Sequence, residues 1–130
     1  MVWLLIFVGG GLGSVCRYAL GGLIQTRAHA AFPVGTLVVN VLGCLIIGVL
    51  ARQMLNMQSD LMARAALITG FCGGFTTFST FSYETIALIS GGEWGKASLY
   101  VGASVAACLV GTAIGIGRLP ARQAATLAPM

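Results

Sequence analysis

The sequence predicts an all-α membrane protein with four transmembrane helices, the third of them broken. Three observations carry this. Hydrophobic residues make up 58% of the 130 positions and charged residues only 8%, against roughly 45–50% and 25% in an average soluble protein. The mean hydropathy is +0.96. The apolar residues are gathered into four long runs, at 3–24, 34–51, 65–89 and 97–116, and the third run is interrupted by Gly73-Gly74 and a cluster of hydroxyl side chains.

A water-soluble body of this size must cover most of its surface with polar groups, which seven basic and three acidic side chains cannot do. Soluble enzymes, nucleic-acid binders and disordered regulators are therefore excluded. The net charge of +4 does not point to nucleic acid, because Arg17, Arg27, Arg52, Arg64, Lys96, Arg118 and Arg122 are scattered, with no basic stripe. Runs of about 18 or more apolar residues are long enough to cross a bilayer. Without water in the bilayer core each must satisfy its own backbone, so each is read as a helix.

The first run has no Lys or Arg before Arg17 and no small-x-small cleavage site after it, so it is expected to be a retained span rather than a secretion signal. Its Gly9-Gly10-Gly11-Leu12-Gly13 imitates a dinucleotide-binding turn. No acidic residue follows within 25–51 and no strand–helix alternation is present, so close helix packing is the better account. Arg17, the one basic residue inside a span, either snorkels toward a helix end or faces a water-filled vestibule.

The second run carries Thr36 and, one turn later, Asn40. A carboxamide in hydrocarbon needs partners, either as helix-to-helix glue or as a pore-lining donor, and the Thr36–Asn40 alignment favours a polar track. In the third run, Thr76, Thr77, Ser79, Thr80 and Ser82 follow the glycine pair, with Glu84 beyond them. A helix is broken at membrane depth only where the freed backbone lines a cavity or is buried in protein. Phe78 and Phe81 share a helix face. An aromatic edge carries partial positive charge, so two such edges beside hydroxyl and amide donors suit a small anion that a fixed cation would hold too tightly to release. In the fourth run, Tyr100, Ser104, Cys108 and Thr112 form a further polar stripe.

The four cysteines, Cys16, Cys44, Cys72 and Cys108, fall one per run. A tetrahedral zinc site across four helices is conceivable, but buried Cys is ordinarily a small apolar packing residue, and packing is expected. Arg52, Arg64, Arg118 and Arg122 lie on the side of the termini, against Arg27 and Lys96 opposite. That bias weakly favours cytoplasmic termini and is small enough to permit insertion in both orientations. The 19 glycines, with Ala107, Gly111 and Gly115 at helical spacing, fit close helix approach and a homo-oligomer.

Taken in order, these segments resemble the bacterial fluoride channel family known as Fluc or CrcB. The resemblance is carried by Gly10-Gly11-x-Gly13 with Arg17, by Gly35-Thr36-Leu37 with Asn40 and Gly43, and above all by the run from Gly70 to Ser82 followed by Glu84. It implies an antiparallel dual-topology homodimer in the bacterial plasma (inner) membrane, with two separate fluoride pores. It further implies a structural sodium ion (Na+) at the dimer centre, held by the Gly73 and Thr76 carbonyls of both subunits. Phe78 and Phe81 would line the pores and Asn40 would donate to fluoride. Thr36, Ser79 and Thr80 would contribute to the lining, Tyr100 and Ser104 to a polar track, and Glu84 and Arg17 to the pore mouth. Cys108 departs from the hydroxyl residue expected on that track, and a thiol is a poorer donor. The expected function is passive fluoride export, with no enzymatic activity. The alternatives are a small proton-coupled multidrug exporter, for which Glu84 is the one candidate carboxylate, and a non-transporting scaffold subunit.

Overall fold

The computed structural model describes residues 1–56 and 61–117. Arg118 and Arg122, used in the charge comparison above, lie outside the described residues. Among the described residues, four helices are long and apolar enough to cross a membrane, Val2–Ala28, Val34–Met54, Leu61–Ser90 and Trp94–Ile116. We label the helical segments α1 (Val2–Ala28), α2 (Val34–Asn56), α3 (61–75), α4 (Phe78–Ser90) and α5 (Trp94–Ile116). Segments α3 and α4 are the two halves of the third span.

The helices overrun their apolar cores. The predicted first run stops at Ile24, whereas α1 continues through Gln25 to Ala28, and α2 continues past Arg52. Backbone hydrogen bonding does not require apolar side chains, so a helix can carry polar residues into the headgroup region. At ~1.5 Å per residue, the 27-residue α1 is longer than the ~30 Å hydrocarbon core. It ends at His29, which adopts a left-handed conformation at φ 46°. Gln25 then clamps the connector. Its Nε2 donates to the Ala30 and Phe32 carbonyls at 2.8 and 3.1 Å, and its Oε1 accepts the Gly35 N–H at 3.0 Å.

The winding of α3 is not uniform. Leu61–Arg64 is α-helical, Ala65–Cys72 is wound to a π-helix, and Gly73–Phe75 is α-helical again. Such widened turns are rare and concentrate at functional sites. The Gly73 N–H reaches back to the Ile68 carbonyl as the wide winding requires.

Two close pairings hold the bundle, α1 on α3 and α2 on α5. The first depends on missing side chains. A Cβ on Gly13 would strike the Phe71 carbonyl and one on Gly74 would strike the Gly10 carbonyl. The opposite face of α1, with Trp3, Phe7 and Tyr18, is exposed on the protomer, as befits a helix whose outer surface meets lipid or another subunit.

Gly74→Ala is therefore expected to lower stability by about 1–3 kcal/mol, the usual cost of overpacking. Gly11→Ala, whose Cβ would meet nothing within 4 Å, should leave it unchanged or raise it. Thermal unfolding in detergent, followed by loss of the monodisperse peak, compares the two.

Candidate functional site

The third span is broken at Thr76 (φ −85°, ψ 157°) and Thr77 (φ −149°, ψ 114°), both extended. The glycine pair itself stays helical, so the break falls just after it rather than at it. In a continuous helix the Thr77 N–H would bond to the Gly73 carbonyl. Here it donates to Asn40 Oδ1 at 2.8 Å, while Asn40 Nδ2 donates to the Thr77 carbonyl at 3.1 Å. A backbone N–H can only donate and a carbonyl only accept, so the pair fixes the orientation of the carboxamide. One amide hydrogen of Asn40 is left over from this pairing.

Thr77 also restarts the helix. Its Oγ1 accepts the Thr80 N–H at 3.2 Å, as an N-cap side chain does. It donates to Thr80 Oγ1 at 3.0 Å and lies 3.2 Å from Ser79 Oγ. On the other side of the break Thr76 closes α3, its N–H and its hydroxyl both donating to the Cys72 carbonyl at 3.0 Å. The Thr76 methyl packs where a Cβ on Gly43 would sit.

The break also frees the Gly74 carbonyl, and α1 supplies its donors. Arg17 Nε donates to it at 3.1 Å and Ser14 Oγ at 3.4 Å. Arg17 thus turns into the bundle. It borders a recess of about 210 Å³ shared with Thr36, Thr77, Thr80 and Glu84.

Glu84 stands at that recess with both carboxylate oxygens engaged. Thr36 Oγ1 donates to Oε1 at 2.8 Å and Tyr100 OH donates to Oε2 at 2.7 Å. Three helices, α2, α4 and α5, are tied by this one side chain. The buried Tyr100 ring is held between Phe32, in a T-shaped pair with centroids 5.5 Å apart, and Phe81 at 5.2 Å. Phe81 in turn lies 5.4 Å from Phe78, which is 78% exposed on the protomer.

A second cavity, of about 310 Å³, opens beside these rings. Asn40, Thr77, Phe78, Phe81, Ser104 and Cys108 are among its lining residues. Ser104 is only 5% exposed, and its hydroxyl is buried without a hydrogen-bond partner among the described residues. Cys44 of α2 lines the same cavity as Cys108 of α5. Among the described residues no three metal-ligating side chains converge, and the four cysteines do not gather into one cluster.

The structure thus brings Thr36 and Glu84 together at one recess, with the buried Tyr100 bonded to Glu84 behind it, and Asn40, Phe78, Phe81 and Ser104 around one cavity. Thr77 sits at the junction of the two. The sequence reading gave Thr77 no separate role, and it left out Ser14, Gln25 and Phe32. A Thr three residues after a glycine pair, at the start of a new helical run, was the available signal for Thr77. Ser14, Gln25 and Phe32 act through contacts that no local pattern announces.

A polar track along a helix broken at membrane depth, beside paired aromatic rings, defines a small multi-pass protein of the ion-channel class. Comparison with known proteins specifies it further. The family profile described as CrcB-like protein, Camphor Resistance (CrcB), matches residues 4–116. A protein of Geobacter sulfurreducens named Fluoride-specific ion channel FluC is 52% identical over 123 residues, 92% of this chain and 96% of the relative. Proteins of the same name from Nitratidesulfovibrio vulgaris and Thermus thermophilus are 42% and 52% identical over 88% and 75% of this chain, and 95% and 78% of their own length. The chain belongs to the CrcB family.

Asn40→Leu removes both bonds to the break and is expected to cost about 1–3 kcal/mol for each backbone group left unpaired. Asn40→Asp keeps the acceptor for the Thr77 N–H but loses the donor to its carbonyl, so its melting temperature should fall between those of Asn40→Leu and the parent.

Proposed function

We propose that the chain is a fluoride-selective passive channel that exports fluoride and lowers its cytoplasmic level. The observation that carries this is the break at Thr76–Thr77, which opens beside Asn40, Phe78, Phe81 and Ser104. The ion comes from the relatives, which are named fluoride-specific channels. Fluoride is small and strongly hydrated, so its passage requires several neutral donors in place of water. The free amide hydrogen of Asn40, hydroxyls such as those of Ser79, Thr80 and Ser104, and the edges of Phe78 and Phe81 are donors of that kind. None is a full cation, so the ion can leave as well as enter. The larger chloride ion does not fit so tight a ring. A negative-inside potential drives anion exit with about 2.3 kcal/mol per charge per 100 mV. No chemical step is required, and both Glu84 oxygens already hold hydroxyl partners.

The functional unit in this reading is an antiparallel dual-topology homodimer in the bacterial inner membrane. Phe78 projects from the protomer as one wall of a pore that the second copy completes. The weak charge bias across the spans is consistent with both orientations. At the dimer centre the Gly73 and Thr76 carbonyls of both subunits would hold a sodium ion, which supplies positive charge that bridges the two copies. The residues fit such an ion. The helical donor to the Gly73 carbonyl is spent on Asn40, and the helical donor to the Thr76 carbonyl is spent on Thr77 Oγ1. Two oxygens of the kind a hard cation prefers are thereby released.

Phe81→Ile retains bulk but removes the ring edge. Fluoride efflux from liposomes is expected to fall by about tenfold or more, a barrier rise of about 1.4 kcal/mol. Efflux equal to the parent's contradicts the edge role. Exchange of sodium for a large organic cation during purification should lower the dimer fraction and the melting temperature together.

A further inference from the structure

We propose that Cys44 and Cys108 form a two-thiol site for a soft, linearly coordinating dication of the mercuric class, inside the cavity that also holds Phe78, Phe81 and Ser104. Three observations place it there. The two thiols line one cavity of about 310 Å³, Cys44 from α2 and Cys108 from α5. The helices approach tightly at that level, since a Cβ on Gly111 would sit 3.8 Å from Cys44 Cβ and 3.2 Å from the Val41 carbonyl. Ser104, one turn before Cys108, is 5% exposed with its hydroxyl unpartnered, and it lines the same cavity as both sulfurs.

The donor set selects the metal. Thiolate sulfur prefers soft ions. Two sulfurs and one weak hydroxyl oxygen do not make the four-ligand shell that zinc takes, but they suffice for an ion content with two collinear thiolates. On binding, each thiol gives its proton to water, and two S–metal bonds form with no change of oxidation state. A dication with two thiolates has no net charge, so the complex escapes the desolvation penalty that a bare ion meets in an apolar cavity. Cys16 is exposed on α1 and Cys72 is buried, and neither lines this cavity. An ion held here sits between Asn40 and the two Phe rings and closes the passage proposed above. The site itself does not rest on the channel reading; its effect on flux does.

The test uses the purified full-length protein and mercuric ion as the probe. Protein loaded with one equivalent is passed through gel filtration in glutathione at about 10 μM, roughly a hundredfold below the millimolar effective concentration that a linked second thiol provides. Metal is then measured per chain. The parent and Cys16→Ala are expected to keep close to one mercury per chain. Cys44→Ala and Cys108→Ala, eluting at the parent volume, are expected to lose nearly all of it. A parent that keeps none overturns the site, as does a Cys108→Ala variant that keeps as much as the parent. If Cys108→Ala fails to fold, Cys108→Ser carries the same comparison, since a hydroxyl does not replace the soft ligand. In liposomes, mercuric ion should stop fluoride efflux from the parent and dithiothreitol should restore it. A parent that retains mercury but never conducts fluoride refutes the channel reading and leaves the thiol site standing. Efflux that persists with mercury bound overturns the placement of the ion in the passage.

Discussion

The rest of the structure depends on the pairing of the Asn40 carboxamide with the backbone of Thr77. A helix broken inside a bilayer strands amides and carbonyls that no water reaches, each costing several kcal/mol if left alone. The pairing replaces the helical partner of the Thr77 N–H with a side-chain oxygen from α2 and adds a donor to the Thr77 carbonyl. Thr77 Oγ1 does the same for the Thr80 N–H, and Arg17 with Ser14 for the Gly74 carbonyl. The Thr77 and Thr80 amides and the Gly74 and Thr77 carbonyls thus keep partners at the break, and its extended residues hold Phe78 and Phe81 at the start of a new helix.

Those bonds need helices that approach unusually closely. Arg17 and Ser14 reach the Gly74 carbonyl because glycines on α1 and α3 face each other with nothing between their backbones. On the other side of the break, Glu84 binds Thr36 of α2 and Tyr100 of α5. Tyr100 packs against Phe81 with the rings tilted and against Phe32 edge to face. The ring that borders the passage is therefore positioned from two directions, by the break below it and by the carboxylate network beside it. A change at Glu84 or Phe32 is felt at Phe81 without touching a passing ion.

Much of this was legible in the sequence. The four spans follow from apolar runs, because hydrophobic length is a local property. The break follows from Gly73-Gly74 and the hydroxyls after it, because propensity and polarity are local too. Its position was less legible. Gly73 and Gly74 remain helical, Gly74 packed against Gly10 of α1, and the chain opens at Thr76–Thr77, where Asn40 waits with a replacement partner. The π-wound Ala65–Cys72 has an ordinary apolar sequence and gave no sign of its wider turn. The union of Thr36, Glu84 and Tyr100 joins residues up to 64 positions apart, and their meeting depends on helix register that a single sequence does not encode locally. The placement of Cys44 and Cys108 in one cavity, and of Cys16 outside it, depends on register in the same way.

The account's central claim is that the broken third helix makes a passage for fluoride and not for larger halides. The most direct test is ion release from liposomes containing the purified protein, followed by a fluoride electrode, with a parallel chloride trial. Fast fluoride release on adding an ionophore for the counter-cation, with chloride release at the level of empty liposomes, is the predicted result. Equal release of both ions, or no release of fluoride from protein that is folded and inserted, would contradict it.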